Sequence, residues 1–194
     1  MTSFANTPIP ARVVLNQADI DRALTRIAHE LLEANKGPRD LVLLGIPRRG
    51  YPLAVRLAEK IAAADATVDP AHIVGQLDVT MFRDDLSRQP TRPPLATVLP
   101  QSGIDDKVVV LVDDVLYSGR TIRAALDALV DLGRPRIVRL AVLIDRGHRE
   151  LPIRADHVGK NLPTAAVEKV RVHLTETDTV DGIPTDEVVI EGSV

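Results

Sequence analysis

The chain has 194 residues, enough for one α/β domain with a sizeable core, and its 45% hydrophobic and 26% charged content is that of a soluble globular protein. It has no cysteine, which excludes a disulfide framework and thiolate chemistry, and no apolar run near the roughly 20 residues that span a bilayer. A net charge of −3 argues against a general polyanion binder, so a nucleic-acid site has to be a local patch; 2% aromatics without tryptophan argue against base-stacking platforms.

The opening Met1-Thr2-Ser3-Phe4 has no basic region followed by an apolar core, so no signal peptide is expected and the cytoplasm is the expected compartment. Residues 1–15 read as a tail entering a first strand at 12–15. A helix follows, with Ile20, Ala23, Leu24, Ile27, Ala28, Leu31 and Leu32 in one apolar stripe, Asn16 as N-cap and Gly37-Pro38 as its stop. Its other face carries Arg22, Thr25, Arg26 and His29; by itself this is a solvated face. Residues 41–46 read as a buried strand. Pro47-Arg48-Arg49-Gly50 comes next, then a helix with Leu53, Ala54, Leu57, Ala58 and Ile61 on one side. This turn sets two guanidiniums at a strand's carboxyl end, where open α/β sheets bind ligands, and their forks suit phosphate oxygens. A surface loop with two arginines is the plainer alternative.

Residues 73–80 read as a further strand. The stretch 82–106 holds Pro90, Pro93, Pro94 and Pro100 and reads as a mobile loop or hairpin, with a short strand at 95–99; an uneventful surface excursion is the other reading. The apolar run Val109-Val110-Leu111-Val112 has no alternation and predicts a strand buried on both faces of a parallel sheet. It ends on Asp113-Asp114. Val115, Leu116, Tyr117, Ser118, Gly119, Arg120 and Thr121 then lead into a helix marked by Ile122, Leu126, Leu129 and Val130. Backbone N–H groups of such a turn, the helix start and the hydroxyls of Ser118 and Thr121 make a phosphate site. The acidic pair fits if the ligand also offers hydroxyls or brings Mg²⁺, as a sugar phosphate does; a solvated carboxylate pair beside an ordinary helix cap is the alternative. Neither a Walker loop nor a dinucleotide fingerprint is present.

The helix stops at Leu132-Gly133, and residues 136–144 read as a strand. Residues 145–161 then turn to dense alternating charge with few strand or helix features. Two short strands, 170–174 and 187–190, close the chain through a Thr/Asp-rich turn and Gly182-Ile183-Pro184, which predicts a hairpin. There is no internal repeat and no sign of a second domain.

The run from Val109 to Thr121 resembles the 5-phosphoribosyl-1-pyrophosphate (PRPP) motif of type I phosphoribosyltransferases. Gly45-Ile46-Pro47-Arg48-Arg49-Gly50, Phe82-Arg83-Asp84-Asp85-Leu86 and Asp145-Arg146-Gly147-His148-Arg149-Glu150-Leu151-Pro152-Ile153-Arg154 resemble the pyrimidine-operon regulator/uracil phosphoribosyltransferase family. The resemblance runs from about residue 16 to 190. It implies an α/β fold with a central, mostly parallel sheet flanked by helices. A single domain over 1–194 is implied, with a small hood from about 145–165 and the C-terminal strands and a mobile loop at about 82–106. It implies conversion of uracil and PRPP to UMP and diphosphate with Mg²⁺, held mainly through PRPP and without direct protein ligands. The implied catalytic residues are Arg83, Asp113 and Asp114. The implied PRPP and UMP site is Arg48, Arg49 and Gly50 with residues 113–121, and Arg146 is a further candidate for the base. A cis non-proline peptide is implied in the 47–50 loop. The family also binds the leader RNA of the pyrimidine operon when UMP is bound. Here that implies Thr25, Arg26, His29, His148, Arg149, Arg154 and Lys160, in a homodimer or larger assembly. A plain base-salvage phosphoribosyltransferase without an RNA role is the runner-up, and a noncatalytic PRPP or nucleotide sensor the third reading.

Overall fold

The computed structural model of the chain describes residues 11–84 and 93–192. Strand β1 (Arg12–Asn16) runs into helix α1 (Gln17–Asn35) through a reciprocal cap. The Asn16 side chain accepts from the Asp19 N–H at 3.0 Å, and the Asp19 carboxylate accepts from the Asn16 N–H at 3.0 Å, so two orphan donors of the helix start are satisfied. The predicted stripe is buried from Ile20 to Leu31, with Leu32 only partly covered. Lys36, in the left-handed region, and Gly37 end the helix by donating back to Glu33 and Leu32 carbonyls.

Strand β2 (Leu41–Gly45) is buried along its whole length, and helix α2 (Gly50–Ala64) turns Leu53, Ala54, Leu57, Ala58 and Ile61 to the core. A one-turn helix α3 (Pro70–Ile73), capped by the Asp69 carboxylate, precedes strand β3 (Val74–Gln76). The strand expected over 73–80 is thus only three residues long. Asp78 ends it, its carboxylate accepting from the Thr80 N–H at 2.8 Å and the Leu95 N–H at 3.1 Å, which bends the backbone into the 3₁₀ turn Thr80–Phe82. Of the strand expected at 95–99, only Val98 pairs, antiparallel to Gln76. Within the expected mobile loop 82–106, residues 85–92 lie outside the described residues, including Asp85, Leu86 and Pro90.

Strand β4 (Val108–Leu116), helix α4 (Arg120–Val130) and strand β5 (Ile137–Asp145) follow as predicted, with β4 running past the acidic pair to Leu116. The charged stretch holds an element the sequence did not announce: strand β6 (His157–Asn161). It is an edge strand with one neighbour, so Lys160 and Asn161 stay exposed and no apolar run marks it. The 145–165 segment is therefore not all hood, because its second half completes the main sheet.

The main sheet is parallel throughout, in the order β3-β2-β4-β5-β6. Helices α1 and α2 cover one face, where Leu43, Val108, Val110 and Val112 pack against Ile27, Leu53 and Leu57. Helix α4 covers the other, where Leu44, Val109 and Leu111 meet Ala125 and Leu129. The hood is a second, antiparallel sheet. Strand β7 (Lys169–His173) pairs with β10 (Glu187–Glu191), as the predicted hairpin requires, and β1 adds to the far side of β10. A small ribbon, β8 (Thr179–Val180) with β9 (Ile183–Pro184), is inserted at the hairpin tip. Arg56 of α2 fastens this hood down. Its guanidinium donates to Glu176 at 2.7 and 2.6 Å and to Asp186 at 2.7 and 2.9 Å.

Candidate active site

The carboxyl ends of β2 and β4 lie side by side, which brings the two predicted loops together. Residues 113–116 still pair with Val142 to Asp145 of β5, so the acidic pair sits on ordered strand. Asp113 is 8% exposed, and its carboxylate accepts from the Asp114 N–H at 2.9 Å. Asp114 accepts from the Val115 N–H at 2.8 Å. Burial pushes the Asp114 carboxyl above the usual carboxylate range, against the pull of the Arg49 guanidinium and the Asp113 side chain.

Residues 117–121 form a tight loop into α4. Gly119 carries φ +93° as the residue before the helix, a backbone conformation in which a Cβ would be strained. The first-turn N–H groups of α4 and the residues Ser118 and Thr121 thus share one loop, an arrangement that can receive an anion. Arg120 points sideways, to Glu150 at 2.7 Å and Asp84 at 2.6 Å, so its side chain joins this loop to the start of the 83–106 stretch. Arg83, next to Asp84, is exposed at the end of the 3₁₀ turn.

Across from the acidic pair stands the 47–50 loop, whose Pro47–Arg48 peptide is cis, as the resemblance implied. Its Ile46 N–H donates to the Val112 carbonyl and its Gly50 N–H to the Ile46 carbonyl, each at 2.9 Å. Arg48 is exposed. Arg49 is not free: it donates through Nε and Nη2 to Asp178 at 2.9 and 2.6 Å, and its Nη1 lies 3.8 Å from Asp114. Asp178 also accepts from the Thr177 hydroxyl at 2.6 Å and the Leu174 N–H at 3.2 Å. Burial opposes its ionisation, but these donors outweigh it and bring its pKa down to about 2. A carboxyl depressed in the folded state adds stability above its ordinary pKa and loses it as pH falls through the folded value. Asp178 is therefore expected to contribute on the order of 2 kcal/mol above about pH 4, lost between about pH 4 and pH 2. Thermal melts across that range check this: the Asp178→Asn variant should lose less stability on acidification than the wild type, and an identical pH slope refutes it.

The 145–156 loop closes over the 117–121 loop rather than standing apart from it. The N–H groups of Glu150 and Leu151 donate to the Ser118 carbonyl, and that of Arg146 to the Leu116 carbonyl. Arg146 is 7% exposed. Its guanidinium lies 4.3 Å over the Tyr117 ring and donates to the Thr164 hydroxyl and the Glu168 and Ala165 carbonyls. These partners leave it fastening the 161–168 segment to Tyr117 instead of reaching for a base. Arg149 donates to Asp145 and to the carbonyls of Ile153, Tyr117, Gly147 and Leu116. His148 contacts the Thr164 carbonyl and the Tyr117 ring.

The predicted RNA residues therefore fall into two groups. His148 and Arg149 are built into the back of the 117–121 loop. Thr25, Arg26, His29 and Lys160 lie on α1 and β6, where Arg26 donates to the Val158 and Gly159 carbonyls at 3.1 and 2.6 Å and pairs with Glu30, while Arg154 lies on the segment that leads into β6. Thr25 caps back onto the Asp21 carbonyl, and His29, Arg154 and Lys160 are exposed. Sequence reasoning missed Asp178, Arg56 and Asp145 as organisers. Arg49 and Asp178 are 129 positions apart, a separation that no local spacing encodes.

Two loops that converge on an acidic pair, over a parallel sheet with a separate hood, define a class. The model of the phosphoribosyl transferase domain matches residues 13–177. The hypoxanthine phosphoribosyltransferase of Trypanosoma cruzi superposes with a TM-score of 0.65 at 18% identity, covering 94% of this chain and 97% of that one. That of Staphylococcus aureus gives 0.65 at 19%, covering 94% and 92%. These likenesses show the type I phosphoribosyltransferase fold. Within that class, the bifunctional protein PyrR of Leifsonia xyli is 65% identical over 91% of this chain and 97% of its own length. The PyrR of Streptomyces coelicolor is 61% identical over 89% and 88%. The chain belongs to the phosphoribosyltransferase family of these bifunctional PyrR proteins.

Proposed function

We propose that the chain transfers the phosphoribosyl group of PRPP to uracil, releasing UMP and diphosphate, and that its UMP-bound form recognises the leader RNA of pyrimidine biosynthesis genes. One observation carries the catalytic reading: Asp113-Asp114, the 117–121 loop and Arg48-Arg49 meet at the ends of two adjacent parallel strands. The 117–121 loop takes the 5-phosphate on backbone N–H groups and the hydroxyls of Ser118 and Thr121. Asp113 and Asp114 accept from the ribose hydroxyls. The 47–50 loop faces the diphosphate, and Arg83 is assigned to it from the start of the 83–106 stretch. In the reaction the anomeric C–O bond to diphosphate breaks, the bond to uracil N1 forms and the N1 proton leaves. Positive charge grows on the ribose on the way, and carboxylates beneath the sugar favour that charge more than the ground state.

Among the described residues no three His, Cys, Asp or Glu side chains come together as a cation cage. In this reading Mg²⁺ arrives on PRPP as part of the substrate and would neutralise the leaving diphosphate. No helix among the described residues is long and apolar enough to cross a membrane. A homodimer or larger homo-oligomer is part of the reading, because leader RNA needs a continuous basic surface wider than one α1–β6 junction.

The test pairs turnover with a gel shift. Uracil should be converted with PRPP and not be outcompeted by a purine. RNA binding should tighten with UMP and weaken with salt. Arg154→Ala should weaken RNA binding at least tenfold while leaving uracil turnover within about twofold. Arg149→Ala is the wrong probe, since its guanidinium holds the phosphate loop and both activities should fall. Uracil turnover without RNA binding at low salt would leave a salvage enzyme.

A further inference from the structure

We propose that Asp178 is a positioning residue for PRPP: by holding Arg49 through both carboxylate oxygens it fixes that guanidinium beside Asp114, and it leaves the neighbouring Arg48 to take the diphosphate. The proposal rests on the phosphoribosyl-transfer reading above and divides the labour of two arginines that the sequence presents as equals.

The geometry is specific. Nε and Nη2 form one of the two guanidinium edges that grip an oxyanion bidentately, and in Arg49 that edge is filled by Asp178. The Nη1–Nη2 edge remains, and it is turned to Asp114, with Nη1 at 3.8 Å. Asp178 does not swing readily, because Thr177 and Leu174 also donate to it and Leu174 is fully buried in the core under the hood. The hood thereby reaches the catalytic carboxylate through one relay: buried Leu174, Asp178, Arg49, Asp114. Arg48, one residue earlier, is exposed and has no hydrogen bond or ion pair among the described residues. It is the 47–50 loop guanidinium with its whole fork available.

Without Asp178 the long Arg49 side chain regains its rotamers. It then turns to solvent or to the diphosphate, and the largely buried Asp114 loses its counter-charge. PRPP should suffer in binding more than the bond-breaking step does.

The experiment measures PRPP binding by calorimetry with Mg²⁺ and steady-state turnover of uracil in wild type, Asp178→Asn, Asp178→Glu, Arg49→Gln and the Asp178→Asn/Arg49→Gln double variant. Asp178→Asn should raise Kd and KM for PRPP about tenfold with kcat within threefold, Asp178→Glu should restore most of the affinity, and the double variant should be no weaker than Arg49→Gln alone. Should the asparagine variant fail to fold by thermal melt, Asp178→Ser enters the same cycle. A PRPP affinity in Asp178→Asn within twofold of wild type overturns the proposal, as does full additivity in the double variant, which marks a merely structural Asp178. A wild type that binds no PRPP overturns the functional reading and this proposal together, so the two failures are distinguishable.

Discussion

Replacing Asp114 by asparagine is expected to lower kcat/KM for PRPP about 100-fold while leaving the fold intact. The amide keeps the shape of the side chain but removes its charge. A hydrogen bond from a ribose hydroxyl to a carboxylate is worth about 1.5–3 kcal/mol, and each ~1.4 kcal/mol is a tenfold change in rate. The charge also acts where positive charge grows on the sugar, so the loss should fall on kcat as well as on KM. The fold has little to lose, because burial already works against ionisation of this carboxyl and Arg49 keeps its stronger partner, Asp178. Thermal melts should show a midpoint within a few degrees of wild type. Turnover within threefold of wild type would remove Asp114 from the catalytic machinery and with it the assignment of the acidic pair to the ribose.

Gly50→Ala is expected to be among the most damaging single-methyl changes at the described residues. Gly50 opens α2 and lies against the backbone of β4 at the residues that lead into the acidic pair. A Cβ there would fall inside van der Waals contact of the Val112 carbonyl oxygen and 3.2 Å from the Asp113 Cα. These are backbone atoms of the central strand, so neither side can give way by changing a rotamer. Gly45 makes the same demand one strand over, where a Cβ would lie 2.5 Å from the Gly50 carbonyl oxygen. Either substitution has to push the 47–50 loop away from β4. The expected cost is about 3 kcal/mol or more, seen as a fall of about 6–12 °C in melting midpoint for a domain of this size. PRPP affinity should drop with it, since the displaced loop carries Arg48 and Arg49. A Gly50→Ala protein melting within 2 °C of wild type would show that the loop has slack the geometry does not display.

The resemblance and the periodicities placed α1, β2, α2, β4, α4 and β5 within a few residues, for a physical reason. Each carries its own signal: an all-apolar strand run, a 3.6-residue stripe or a cap. Asn16 and Asp19 are three positions apart and form their cap from local atoms alone. The acidic pair and the 117–121 loop were legible in the same way, because strand, turn and helix start are contiguous. β6 was not legible. Its pattern of His157, Val158, Gly159, Lys160 and Asn161 becomes a strand only because β5 offers a free edge. The length of β3 was not legible either, since Asp78 ends it through bonds to Thr80 and to Leu95, and the second is a contact across the loop.

The sequence by itself determined the layout of the candidate site: an acidic strand end, a small-residue loop into a helix, and guanidiniums on the loop beside it. Those features are written in neighbouring residues and in backbone preferences that act over one turn. Tertiary structure alone decided which arginines are free. Arg49 and Arg56 are each engaged by acceptors that the fold brings across 129 or 130 positions, which no spacing in the chain announces. A cation's role depends on whether its donors are already filled, and that is a property of packing and not of spacing.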